Sequence, residues 1–353
     1  MSGQKETNYR SGKGTEWSSR EAATERRLVR AAEDLFELWG YRPTRLPLLD
    51  LYDSYSEVLN NRAHEQLYRL IDRDGDLLLL RSDSTLFLAR SVAPLIESGP
   101  VPIRLYYADA IVRHQKSEDP LHNEFFQIGA ELMGRAGHRG EVEVAALICT
   151  LAQTIGVENA VLHLGTRALF NSIFEKNDPE VREDAATMIL RREWDLLRKI
   201  AGPVTDIFSF IGTIDDFEKQ RKSLESRLAS EGAKRAINDL FLVTKSLTSI
   251  DNALEVRVDF SEIGIQPYYT GCVLGLYLEG IPTAIAAGGR YDKLLEKFGH
   301  RYPSVGFSLM LSKIIGSVEQ YRFRDPVVVE EQDVVSAMNR ATEIRSRGEC
   351  ATL

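Results

Sequence analysis

Apolar residues recur along the chain with two periods, and the changes of period divide it into helices and strands. Leu28, Ala31, Ala32, Leu35, Phe36 and Trp39 share one face at helical spacing. Ser18 with Glu21 three residues on has the form of a capping box, so an amphipathic helix is expected from Ser18 to Gly40. Pro43 and Pro47, set among apolar residues, suit an edge strand or a bend. Apolar runs at 67–71 and 77–81 flank DRDGD, which predicts a hairpin turning at Asp74-Gly75. A short helix over 85–96 is followed by strands at 103–107, 110–113 and 125–133, a helix at 141–155 and a strand at 160–164. Charged helix formers dominate 166–247, which reads as a helical insertion. Strands resume at 254–260, 272–277 and 283–287, and Gly288-Gly289 then introduces a helix at 291–298. Residues 326–353 offer a small strand, helix and strand, far fewer residues than the ~50 to 200 of an independent domain. The polar stretch 1–17 reads as a disordered tail. The expected organisation is therefore a tail at 1–17, one domain at 18–325 carrying the insertion, and a remnant at 326–353. An antiparallel sheet with flanking helices and a helical insertion belongs to the α+β class.

Composition narrows the function. Lys and Arg total 44 against 52 Asp and Glu, a formal charge of −8, which repels phosphate backbones at long range and disfavours global nucleic-acid binding. Cys149, Cys272 and Cys350 are scattered and form no CxxC pair, so neither a metal nor a redox site is indicated and a reducing cytosol fits. No apolar run approaches the ~20 residues of a membrane helix, and the start lacks the apolar segment of a secretory signal. There is no GxxxxGK[ST] loop and no GxSxG elbow. His64-Glu65 begins like HExxH, but Tyr68 stands where the second histidine ligand belongs, which discards a zinc site.

Four ordered segments carry more information: LLLLRSDSTLFLAR at 77–90, YYADAIVRHQ with EFFQIGAELMG within 106–134, PYYTG at 267–271 and AAGGRYDKLLEKFG at 286–299. Together they resemble, in order and spacing, the motifs of the histidyl-tRNA synthetase catalytic domain, and in particular those of the synthetase-like regulatory subunits of ATP phosphoribosyltransferase. The resemblance implies a class II synthetase-like fold. It also places Asp83, Thr85, Gln127, Glu131, Tyr268 and Tyr269 at the histidine-binding positions.

Those residue types suit the task. A buried ammonium group needs carboxylates or amide oxygens, since leaving it unpaired is very costly. Gln127 and Glu131 lie four apart and would face the same side of a strand. Tyrosines can offer an imidazole both an aromatic wall and a hydroxyl. Plainer roles stand beside these. Asp83 can cap the helix at Thr85, Tyr268 and Tyr269 can be core aromatics, Gly288 and Gly289 can serve close packing, and Arg290 can be a surface ion pair.

The resemblance also shows where adenylation chemistry is missing. Arg113 matches the motif 2 arginine and, with Arg290, is the candidate for a residual nucleotide-type site. The arginine loop beyond it is replaced by a stretch containing Glu118 and Asp119, with Asn123 at the second arginine's place, and acids there oppose a triphosphate. The RGLDYY signature reads GIQPYY, with Gly264 for the catalytic arginine and Pro267 for the aspartate. Motif 3 carries Met310 for a small glycine and Lys313 for arginine, which keeps charge but loses the planar fork. A full anticodon-binding domain is not expected.

The resemblance thus implies a non-catalytic regulatory subunit partnering a short-form ATP phosphoribosyltransferase catalytic subunit in the first step of histidine biosynthesis. Histidine is the expected effector, a homodimer within a hetero-oligomer the expected assembly, and no cofactor, metal, tRNA or membrane is expected. The altered signature leaves open whether the histidine pocket is intact. The alternatives are a divergent histidine-activating ligase and a scaffold with a dead pocket.

Overall fold

The computed structural model describes residues 14–56, 58–59, 61–96, 101–114, 123–250 and 254–353. Two compact units divide the chain: Leu28–Val318, and Met1–Arg27 together with Glu319–Leu353. The described part opens with α1 (Gly14–Leu38), followed by β1 (Arg42–Pro43), β2 (Leu49–Leu51), α2 (Asn61–Gln66), β3 (Arg69–Ile71), β4 (Leu77–Leu80) and α3 (Ser84–Ile96). Next come β5 (Ile103–Val112), β6 (Glu124–Met133), α4 (His138–Thr154) and β7 (Ala160–Thr166). The insertion holds α5 (Arg167–Ile173), α6 (Pro179–Leu190), α7 (Trp194–Ala201), β8 (Ile211–Thr213), α8 (Ile214–Ser226) and α9 (Glu231–Thr248). The larger unit then closes with β9 (Glu255–Asp259), β10 (Cys272–Leu278), β11 (Ala286–Arg290), β12 (Ser304–Met310) and α10 (Leu311–Ile314).

Among the described residues, nine strands form one sheet in the order β1-β5-β6-β12-β11-β10-β7-β9-β8. All its pairs are antiparallel except β1 with β5 and β7 with β9, which bears out the α+β expectation. Alternation gives the sheet two apolar faces. Tyr106, Ala130, Leu132 and Leu274 pack with Leu28, Phe36 and the apolar side of α4. Tyr107, Met133 and Val273 pack instead with Phe87, Leu88 and Val92 of α3. The candidate site lies on this second face. A small sheet, β2-β4-β3, stands apart from the large one. Its expected hairpin is present: Ile71 opposes Leu77, and the Asp72 carboxylate closes the turn by accepting the N–H groups of Asp74 and Asp76, each at 2.9 Å.

Several boundaries move. α1 starts at Gly14, so Ser18 is inside the helix rather than its cap, and of the expected polar tail residues 1–13 lie outside the described residues. The two strands expected between 103 and 113 are one, because β5 pairs without interruption along β6 from Ile103↔Met133 to Val112↔Glu124. The insertion contributes an edge strand, β8, paired with β9. Gly288 and Gly289 introduce no helix: both are inside β11, laddered to β10 and β12, and only a 3-10 turn, Leu295–Phe298, follows.

In the smaller unit β13 (Val327–Val328) pairs in parallel with β14 (Ala351–Thr352), and α11 (Val334–Ser346) connects them. Val329, Ala337, Ala341, Ile344 and Ala351 make its core, and Asp333 caps α11 by accepting the N–H of Ser336 at 2.8 Å. Among the described residues no helix is long and apolar enough to cross a membrane.

Candidate functional site

The pleat of the sheet decides which side chains can meet. Across β6, β12, β11 and β10 the register aligns Glu131, Gly306, Gly289 and Val273, so these four point to one face, and Gln127, four residues from Glu131, points with them. Over this face the start of α3 and the chain between Glu262 and Tyr269 enclose a cleft of about 1010 Å3. Asp83, Thr85, Gln127, Tyr268 and Tyr269, five of the six expected pocket residues, line it together with Arg113.

Asp83 has the capping role foreseen for it and also lines the cleft. Its Oδ1 accepts the N–H of Leu86 at 3.1 Å, capping α3. Its Oδ2 faces the cleft and accepts from Gln266 Nε2 at 2.8 Å and the Tyr268 hydroxyl at 3.1 Å, with the Arg113 guanidinium 3.9 Å away. Arg113 is itself steadied by the carbonyl of Ser82, to which its Nε donates at 2.6 Å. Tyr268 meets Tyr269 and Tyr291 edge to face, at 5.2 and 5.9 Å between ring centroids, which makes an aromatic corner of the preferred geometry.

Glu131, the sixth residue, lies one layer deeper. It is fully buried, its Oε1 accepting from the Thr85 hydroxyl at 2.6 Å and its Oε2 from the Tyr291 hydroxyl. Gly306 makes room for it: a Cβ there would fall 1.5 Å from Oε2. Burial, added to by the charge of Asp83, pushes the Glu131 carboxyl up to about 8, although the hydroxyls of Thr85, Tyr291 and Tyr107 pull it the other way. Gln127 donates from Nε2 to Ser308 Oγ at 2.9 Å, while its Oε1 is buried without a donor. The site thus holds an unsatisfied acceptor and a buried acid whose bonded partners are hydroxyls. Both conditions are relieved by a cationic ligand rich in N–H groups.

The expected nucleotide-type pair does not assemble. Arg290 is one residue past Gly289 and therefore points through the sheet, away from the cleft. Its guanidinium grips Glu141 of α4, with Nε and Nη2 each 2.5 Å from a carboxylate oxygen, and reaches Asp292 at 3.0 Å. Lys313 is also occupied, donating to Thr283 Oγ1 at 2.9 Å and the Ala284 carbonyl at 2.7 Å. Burial, and then the charge of Arg113, pushes its ammonium down. Met310 lines the cleft, with its sulfur 3.9 Å from Gln127 Nε2. Glu118 and Asp119 lie outside the described residues. Asn123 turns inward instead, donating to the Tyr68 hydroxyl at 2.7 Å.

Gly264 has a positive φ of +73°, and a Cβ on it would lie 2.4 Å from the Tyr269 ring. The ring fills the space where a side chain would begin. The guanidinium bonded to this loop belongs to Arg167, whose Nη1 is 3.4 Å from the carbonyls of Ile263 and Gly264. Burial pushes Arg167 down to about 10, with a further contribution from Arg182.

Glu262, Gln266, Tyr291 and Ser308 are among the cleft residues that escaped the sequence reading. Tyr291 was within reach, since it directly follows the GGR motif. Glu262, raised by burial and accepting from the Tyr277 hydroxyl at 2.5 Å, gave no signal. Among the described residues no group of three or more His, Cys, Asp or Glu side chains is arranged to hold a metal ion.

Residues 15–314 match the histidyl-tRNA synthetase family model. The ATP phosphoribosyltransferase regulatory subunit of Geobacillus kaustophilus is 30% identical over 343 residues, 91% of this chain and 84% of that protein. The regulatory subunit of Moorella thermoacetica is 28% identical over 347 residues, 94% of this chain and 88% of that protein. Among solved structures, an ATP phosphoribosyltransferase regulatory subunit/histidyl-tRNA synthetase from Bacillus halodurans superposes with a TM-score of 0.81 at 23% identity, covering 94% of this chain and 88% of that one. The histidyl-tRNA synthetase of Nostoc gives 0.77 at 19% identity, covering 94% and 82%. These two likenesses speak to the fold alone.

Proposed function

Because the chain belongs to the histidyl-tRNA synthetase family, among its ATP phosphoribosyltransferase regulatory subunits, we propose that it is a non-catalytic regulatory subunit required by a short-form catalytic subunit and responsive to histidine. The observation that carries the non-catalytic part is Gly264. An adenylating site needs fixed cations on the charge moving through the α-phosphate, and here the loop holds a glycine whose missing side chain is replaced by the Tyr269 ring. Lys313, tied to Thr283 and Ala284, and Met310 in the cleft favour the same reading.

Histidine suits the acceptor-rich cleft. An ammonium group, charged at about pH 7, is least costly where water still reaches, and Asp83 retains 14% of its side-chain exposure whereas Glu131 has none. The amine is therefore assigned to Asp83, beside the aromatic corner. Feedback then requires unequal histidine affinity for the active and inactive assemblies. A second copy of the chain has a candidate docking face on the small sheet, where Leu49, Leu51 and Leu70 project together and stand 42%, 44% and 37% exposed.

The test is to mix the protein with a short-form ATP phosphoribosyltransferase subunit and assay turnover with and without histidine. Activity that depends on this chain and falls with histidine is expected. If the two neither co-migrate nor change one another's activity, the proposal fails.

Glu131 gives a second expected result. With its carboxyl near 8 rather than 4.5, much of it is protonated at about pH 7. An ammonium group in the cleft favours the carboxylate and lowers that value. Histidine binding at about pH 7 should therefore release protons, and through this group affinity should rise with pH until about 8. Calorimetry in buffers of different ionisation enthalpy reads the release, and Glu131→Gln should abolish it. The corresponding effect on folding has the opposite slope: Glu131 retains a proton that the unfolded chain has lost, so its contribution to stability falls as pH rises from 4.5 to about 8.

A further inference from the structure

We infer that Gln266 is a specificity-determining residue of the cleft: its carboxamide sits on Asp83 where a ligand's ammonium group would sit, and an amine must displace it to bind. The inference rests on the reading of the cleft as an amino-acid pocket and adds a competitor built into the chain itself.

Both oxygens of Asp83 have partners within the chain. Oδ1 is turned to the N–H of Leu86, and Oδ2, the oxygen that faces the cleft, receives Gln266 Nε2 at 2.8 Å with the Tyr268 hydroxyl at 3.1 Å. A primary amide is a neutral imitation of an ammonium group, with two N–H donors against three and no charge. It satisfies the carboxylate without cancelling it. That matters here because Asp83 and Glu131 are close enough for the charge of one to raise the proton affinity of the other.

Gln266 is placed to leave. It stands between Ile265, which is 60% exposed, and the exposed Pro267. It lines both the main cleft and a smaller depression that shares Asp83 and Arg113 with it and is also bounded by Val58, Leu59 and Leu86. Swung outward, its amide reaches water, and Asp83 Oδ2 becomes open to the cleft that also contains the donorless Oε1 of Gln127. The amide's bond to Asp83 is already charge-assisted through the carboxylate; an ammonium group adds its own opposite charge to that bond, so an amine wins the exchange, at reduced affinity. A ligand without an amine does not contest the seat and is indifferent to Gln266.

The experiment is a calorimetric titration of the full chain and its Gln266→Met and Gln266→Leu variants with two ligands: histidine and imidazole-4-propionate, which keeps the ring and the carboxylate but has no amine. Removing the amide donors should tighten histidine roughly tenfold, the worth of one hydrogen bond to a charged group, and change imidazole-4-propionate by less than about twofold. Gln266→Met keeps the length of the side chain, and Gln266→Leu provides a second shape. Wild-type binding of histidine with an unmoved affinity ratio in both variants, or with equal shifts for both ligands, overturns the role of Gln266 and leaves the amino-acid pocket standing. No histidine binding by the wild type or either variant overturns both.

Discussion

Methionine in place of Arg290 is expected to destabilise the fold by about 3–5 kcal/mol, because it strands a charge in the interior. Arg290 and Glu141 are each 8% exposed in their side chains and joined by two contacts of 2.5 Å. Taking Arg290 away leaves the Glu141 carboxylate desolvated without its guanidinium. The loss is large against the ~5–15 kcal/mol by which domains are stable. Urea denaturation of Arg290→Met reads it directly. Pairing it with Glu141→Leu should recover most of the loss, since two apolar residues can replace a buried pair at little cost. A single variant as stable as the wild type would return Arg290 to the list of candidate ligand residues. An arginine that looks functional by motif would then have to be functional by contact.

Arginine at position 264 is expected to restore no chemistry and to damage the fold. A residue other than glycine in the left-handed region costs about 1–3 kcal/mol, and forcing atoms into a packed site costs about 1–3 more. Here the first added atom would meet the Tyr269 ring at 2.4 Å and the second neighbour, Val273, at 3.3 Å. Gly264→Ala isolates the backbone and Cβ part of this cost, and Gly264→Arg adds the displacement of Tyr269. Denaturation midpoints should fall in that order, and histidine-dependent exchange of pyrophosphate into ATP should stay undetectable. A stable Gly264→Arg protein that exchanges pyrophosphate would show that the loop can open for an arginine, whereas exchange by the wild type would overturn the non-catalytic reading.

These two positions show how far the sequence could be read. Both were visible as departures or matches in a motif, and both were given the correct residue type. At Arg290 the error came from register. Placing the strand at 283–287 rather than Ala286–Arg290 left the arginine beyond its end, and so hid the alternation that separates it from Gly289 and Tyr291. A slip of this kind changes which face a side chain occupies. Asp83 fared better because its capping bond is local, three residues long. Its other partners, Gln266 and Tyr268, are 183 and 185 residues away in the chain. Glu131 was legible as a pocket-side acid in an apolar strand. That it lies behind Thr85 and Tyr291, with its carboxyl near 8, was not.

The chain's own pattern settled the α+β class, the main strands and helices, the insertion and the residue types gathered at the cleft, because periodicity and turn chemistry act over a few neighbouring residues. Folding settled which of those groups remain available. Arg290 and Lys313 are spent on partners, position 264 has no space for a side chain, Gln266 occupies Asp83, and Gln127 keeps an acceptor without a donor. Hydrogen bonding and burial are saturable and non-local: a group is free or engaged according to what packs against it, and the elements that do so here come from opposite ends of the larger unit.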